Sequence, residues 1–209
     1  MSKKENYNES CDLNGKVIFF ATGNINKFKE ARSILNFYGL AVAMLRVKGN
    51  EIQSDNLKEI AETSALNAFK KSRLPILVED AGLFIDALSG FPGPYSAYAY
   101  KTIHNSGILR LMEKVVDRRA KFQSVIAFCD QTLSKPRCFD GEAKGEITLS
   151  ERKTIGKSAF GFDPIFKPIT HNKSFAEMTI KEKNELSHRA IAIRKFAEWY
   201  KIKINENNR

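Results

Sequence analysis

The sequence predicts an α/β protein in which helices are layered on a mixed sheet. Three observations carry this. An apolar strand near the N-terminal end feeds a glycine turn and then an amphipathic helix. A second apolar run, Ile76-Leu77-Val78, goes straight into two adjacent acids and a glycine. Further strands follow, and the chain closes on two capped helix starts.

Lys16–Ala21 (KVIFFA) reads as a buried strand and Thr22–Lys27 as a turn. Phe28, Ala31, Leu35 and Tyr38 then recur at helical spacing, with Gly39 as the expected cap. A second helix is expected to start on Asp55, a good N-cap residue, with Leu57, Ile60, Ala61, Ala65, Ala68 and Phe69 as its buried stripe. Residues 89–95 (SGFPGPY) form a turn cluster, and Ile108, Leu111 and Met112 suggest a short helix after Gly107. Phe122–Cys129 is a strand, and Arg137–Leu149 is a strand pair or one long bent strand. Phe160–Pro164 is a loop leading to Ile165-Phe166. Thr179-Ile180-Lys181-Glu182 matches a capping box. Ser187 can cap a last helix that buries Ile193, Phe196, Ala197 and Tyr200, with His188 and Arg189 on its first turn.

The 209 residues suit one domain or two tightly joined lobes, and 43% hydrophobic residues suffice for a core. No apolar run approaches a membrane span, so no membrane partner is expected. Residues 1–14 are polar, without a signal-peptide core, and read as a disordered leader; residues 205–209 read as a polar tail. Cys11, Cys129 and Cys138 are odd in number and lack metal-ligand spacing, which fits a reduced, cytoplasmic protein. The net charge of +10 is either a solubilising surface or an attraction to an anion such as nucleic acid or polyphosphate. The lysines and arginines are dispersed, which argues against a dedicated nucleic-acid arm.

Three constellations could carry chemistry. Charges are rarely buried unless paired or metal-bound, so Glu79 and Asp80 are expected at a strand end that opens into a cleft. The alternative is a solvated acidic turn. Together with Glu51, these carboxylates could hold Mg²⁺, which takes one or two carboxylates beside substrate phosphate. Thr22-Gly23-Asn24-Ile25-Asn26-Lys27 presents a helix start to an anion, although the spacing is not that of a Walker A loop, and an ordinary βα turn would look the same. Phe160-Gly161-Phe162-Asp163 offers an aromatic face and close backbone approach for a base, with plain core packing as the alternative for both rings. Arg189 could donate to a purine O6 or N7; His188 alone would more often be structural.

Together these segments resemble the inosine triphosphate pyrophosphatase family. The motifs that carry the resemblance run in the family's order: Thr22–Lys27, Glu51-Ile52-Gln53, Val78–Leu83 with Phe91–Ser96, Phe160–Pro164, and Phe175–Met178 with Lys183–Arg189. The resemblance implies a two-lobed α/β fold over residues 15–204, with a long mixed central sheet flanked by helices and an active-site cleft between the lobes. It implies hydrolysis of ITP, dITP and XTP between the α- and β-phosphates, with Mg²⁺ as cofactor, in a homodimer, and no specific nucleic-acid partner. It assigns Thr22, Gly23, Asn24, Ile25, Asn26 and Lys27 to the triphosphate. Glu51 and Asp80 bind metal, with Glu79 as a further candidate, and Asp80 is also the catalytic base. Ala81 offers its backbone, Phe160, Gly161, Phe162 and Asp163 surround the base, and Lys183, His188 and Arg189 contact the substrate. The chain departs from the family at Thr63-Ser64-Ala65 and near Ala97, where relatives carry basic residues; Lys70, Lys71 or Lys101 are the expected substitutes.

Overall fold

The computed structural model describes residues 17–47, 52–154 and 160–207. The expected leader, Cys11, Lys16 and Glu51 lie outside the described residues. The strands are β1 (Val17–Ala21), β2 (Ala41–Leu45), β3 (Ile76–Ile85), β4 (Pro92–Gly93), β5 (Arg119–Cys129), β6 (Arg137–Ile147) and β7 (Phe166–Pro168). The helices are α1 (Ile25–Phe37), α2 (Leu57–Ser72), α3 (Ser96–Leu111), α4 (Ile180–Leu186) and α5 (His188–Asn207). Among the described residues, no helix is long and apolar enough to cross a membrane.

The strands form one mixed sheet of order β2-β1-β3-β5-β6-β7, with β4 pairing β3. β1 lies parallel to β2 and β3, and the remaining pairs are antiparallel. Ile18, Phe20, Leu77, Ile126 and Phe128 face α1 and α5 across one apolar cluster. On the opposite face Ile76, Val78, Val125 and Ala127 pack on Leu57, Ala61, Ala65 and Ala68 of α2. Beyond these layers β3, β5 and β6 run on into a second lobe. There Leu83, Ile85, Phe122, Ala143 and Ile147 meet Ala99 and Ile108 of α3, Met112 just past its end, and the aromatic residues Phe162, Phe166 and Phe175.

Several sequence expectations shift. Asn56, not Asp55, caps α2: its Oδ1 accepts the Lys58 N–H at 2.9 Å. The helix expected only after Gly107 begins at Ser96, because its first half carries no apolar stripe to announce it. Of the two readings of residues 137–149, the single long strand holds, over Arg137–Ile147, while the expected polar tail is helical through Asn207. Glu79 and Asp80 do not end a strand. The ladder to β5 continues for ten pairs, from Ile76 opposite Cys129 to Ile85 opposite Ala120. Gly82 is there for close approach, not for a turn: a Cβ on it would stand 2.2 Å from the Gly93 carbonyl oxygen of β4. Ser96 ties the same corner, accepting from the Leu83 N–H at 2.8 Å and donating to the Gly93 carbonyl at 2.7 Å.

The helix starts form as read. Thr179 and Glu182 exchange reciprocal capping bonds of 3.2 and 2.7 Å. Ser187 Oγ accepts from the Ala190 N–H at 3.2 Å, which sets α5 going at His188. Gly141 lets this start lie directly on β6, since a Cβ there would meet the His188 carbonyl oxygen at 2.0 Å. Gly141→Ala must therefore push α5 off the sheet. A loss of about 1–3 kcal/mol is expected from such overpacking, read as a lowered midpoint in thermal or urea unfolding.

Candidate active site

α1 starts where β1 ends. Asn24 Oδ1 accepts the N–H groups of Asn26 and Lys27 at 2.9 and 3.3 Å, and Thr22 Oγ1 accepts the Asn24 N–H at 3.1 Å. Each side chain has turned an acceptor oxygen inward, and each still has a donor: the Thr22 hydroxyl proton and the Asn24 amide NH₂. With no acidic residue in the first turn of α1, this end is electrically suited to an anion. Gly23 and Ile25 are exposed beside it, and Asn26 is half-buried.

Behind this end lies a buried lattice of charges. Glu30, on α1, accepts from Lys183 Nζ at 2.8 Å and from Arg189 Nη1 at 2.5 Å. Lys183, in the last turn of α4, also donates to Asp163 Oδ2 at 2.7 Å. Arg189 donates through Nε to Glu79 Oε1 at 3.0 Å, and Ser124 Oγ donates to the same oxygen at 2.9 Å. Lys27 Nζ lies 3.0 Å from Glu79 Oε2, an ion pair without hydrogen-bond alignment, and donates to the Glu79 carbonyl at 3.4 Å. Three cations, Lys27, Lys183 and Arg189, thus balance three carboxylates, Glu30, Glu79 and Asp163.

That balance sets the protonation states. Burial alone would raise the pKa of Glu79, but Arg189 and then Lys27 hold it far below the usual carboxylate range. Glu30 is likewise lowered: burial opposes, and Arg189 and Lys183 prevail. Asp163 goes the other way, raised by burial against the pull of Lys183, with Glu30 adding to the rise. Burial, and then the charge of Arg189, push His188 well below the usual histidine value, so its ring is neutral.

The lattice supports a pocket lined by Lys27, Ala81, Phe122, Phe160, Gly161, Phe162, Asp163, His188 and Arg189. Asp163 Oδ2 accepts the Phe160 N–H at 2.9 Å, which pins the loop, and Gly161 takes φ +62 to turn it. Lys183 Nζ and Arg189 Cζ lie 4.8 and 5.2 Å from the centre of the Phe160 ring. His188 stacks on Phe122 with ring centres 4.7 Å apart and planes 11° apart. Its Nδ1 has no hydrogen-bond partner among the described residues.

The structure therefore gathers Lys27, Ala81, Phe160, Gly161, Phe162, Asp163, His188 and Arg189 at one place, and redefines others. Phe162 is 3% exposed and belongs to the second-lobe core as well as the pocket wall. Asp163 and Lys183 bond each other and the loop. Glu79, with a fully buried side chain, is engaged by Arg189, Ser124 and Lys27. Strand alternation sends Asp80 to the other face, with Val78 and α2. Asp80 is half-buried there and does not line the pocket.

Of the expected substitute cations, Lys70 and Lys71 stand in the last turn of α2, roughly 20 Å of helix away from its start. They are at the wrong end of the sheet. Lys101 is exposed on α3 and does not line the pocket. Lys58, which the sequence reading passed over, is at the right end: with Asp55, Phe84 and Gln123 it lines a hollow on the face that Asp80 occupies. Glu30 was also missed. Its signal was an acid on the buried side of α1, one turn before Ile34.

Known proteins resemble this chain in sequence and in fold. A model described as the Ham1 family matches residues 18–199. The chain is 47% identical over 184 residues to the dITP/XTP pyrophosphatase of Methanopyrus kandleri, covering 88% of this chain and 96% of that one. It is 46% identical to the dITP/XTP pyrophosphatase of Thermococcus kodakarensis, covering 87% and 96%. Among solved structures, a HAM1 protein from Coxiella burnetii superposes with a TM-score of 0.75 at 31% identity, covering 87% of this chain and 96% of that one. The Staphylococcus aureus Ham1 protein gives the same TM-score at 27% identity, covering 90% and 100%. Sequence along nearly the whole chain and fold agree: this protein belongs to the Ham1 family.

Proposed function

We propose that this protein is a Mg²⁺-dependent nucleoside triphosphate pyrophosphatase. It cleaves ITP, dITP and XTP to the monophosphate and pyrophosphate, and so clears non-standard purines from the nucleotide pool. The observation that carries the reading is the pocket itself: a flat ring, a neutral histidine and a fixed arginine, placed beside a helix start suited to an anion. The names of the relatives at 46–47% identity point the same way.

In this reading Thr22, Gly23, Asn24 and Lys27 take the triphosphate. The base stacks on Phe160, and its keto edge meets His188 and Arg189. Arg189 cannot lose its proton, because Glu79 and Glu30 outweigh the burial that disfavours its charge. It therefore offers only donors, which suit the C6 oxygen of hypoxanthine and xanthine. The amino group of adenine would leave a donor facing a donor, a mismatch of about 1–3 kcal/mol or more.

The donor set fits Mg²⁺ in a limited way. Among the described residues, no group of three or more His, Cys, Asp or Glu could hold a metal. Mg²⁺ needs only one or two carboxylates when phosphate oxygens and waters complete its shell, and Asp80 can supply one. Bound there, the metal would neutralise charge on the phosphates. Asp80 would also take the proton of the attacking water.

The test is turnover of ITP, dITP, XTP, GTP and ATP with and without Mg²⁺, separating pyrophosphate from orthophosphate. Pyrophosphate release is expected from the first three, dependent on Mg²⁺, with GTP and ATP turned over far more slowly. Orthophosphate as product, or equal rates on all five, would refute the proposal.

A further inference from the structure

Helix α3 is broken in its middle. His104 has φ 56 and ψ −169, a backbone region in which glycine is the usual occupant. The chain that follows is fitted to this break. A Cβ on Gly107 would stand 2.5 Å from Ile103 Cβ, so the folded-back geometry requires glycine there. Asn105 is 4% exposed and donates through Nδ2 to Glu151 Oε1 at 2.8 Å, which anchors the second half of the helix.

Beside the break, Tyr100 of the first half of α3 makes two ring contacts. The Tyr100 ring meets His104 edge-on at 5.7 Å and Phe162 edge-on at 5.5 Å, the latter with planes at 90°. Phe162 is part of the pocket wall, adjoining Phe160 and Asp163 in the loop. A packed line thus runs from His104 through Tyr100 to Phe162 and the pocket. Tyr100 itself is 38% exposed, so it is not an element of the core.

We propose that Tyr100, set by the break in α3 at His104, is a positioning residue for the purine pocket: its ring backs Phe162 and fixes the wall against which the base is held. The inference rests on the proposed function, since it deepens the reading of the same site. It places control of base binding in a helix that does not line the pocket.

The experiment compares wild type, Tyr100→Leu and Tyr100→Phe. Three quantities are read: KM and kcat for ITP, Kd for IMP, and the inhibition constant of inorganic tripolyphosphate. Tyr100→Leu removes the ring edge. It is expected to raise KM for ITP and Kd for IMP about 3- to 10-fold, as loss of one aromatic pair does. Tripolyphosphate inhibition should stay near wild type, the melting temperature should fall by no more than about 5 °C, and Tyr100→Phe should restore both affinities. A general structural loss would weaken tripolyphosphate and IMP together, and that result would overturn the assignment. Unchanged KM and Kd in Tyr100→Leu, with an active wild type, would overturn it as well and leave the functional reading intact. A wild type that turns over neither ITP nor XTP would overturn both.

Discussion

Glu30→Ala is expected to destabilise the protein by about 3–5 kcal/mol, the range for removing one partner from a buried ion pair. Glu30 bonds both Lys183 and Arg189, which are 1% and 2% exposed. Alanine would leave three cations facing two carboxylates, with Lys183 and Arg189 both out of reach of water. It would also free the two cations that lie over the Phe160 ring. Glu30→Gln keeps the shape and one acceptor, and should fall between wild type and alanine. Urea unfolding at neutral pH reads the stability, and IMP binding reads the pocket. A stability for Glu30→Ala within about 1 kcal/mol of wild type would mean that the lattice is solvated, since exposed ion pairs contribute no more than that.

Glu30 also marks where sequence reading stops. Its partner Arg189 is 159 residues away, and nothing in a local pattern links them. Signals that live within one element were legible: the buried stripes of α1, α2 and α5, the Thr179–Glu182 box, the Ser187 cap, and the loop around Gly161. Signals that depend on another element were misread. Gly82 resembled a turn because the chain alone cannot show that Gly93 passes 2.2 Å from where its Cβ would be. The rarity of buried charge put Glu79 and Asp80 at a strand end, when β3 carries them through its middle and distant cations pair with Glu79. The first half of α3 gave no signal at all, since its tyrosines and serine follow no apolar period and His104 interrupts the helix.

The same strand geometry separates two acids that sequence treats as a pair. Asp80→Asn is expected to lower kcat for ITP by roughly 10²- to 10⁴-fold, the usual worth of a general base. Loss of a metal carboxylate would add to this. Folding and IMP binding should be little changed, because Asp80 is half-buried on the α2 face and does not line the pocket. Glu79→Gln should do the reverse. Glu79 faces the pocket side, where it holds Arg189, Ser124 and Lys27. Its loss of charge should weaken IMP binding and lower the unfolding midpoint, whatever it does to the rate. Two adjacent carboxylates would then divide the work by strand alternation alone, one on the reacting phosphates and one behind the base. Equal losses of rate and of IMP affinity in both variants would show that the two side chains share one environment, and would remove Asp80 from its proposed role as base.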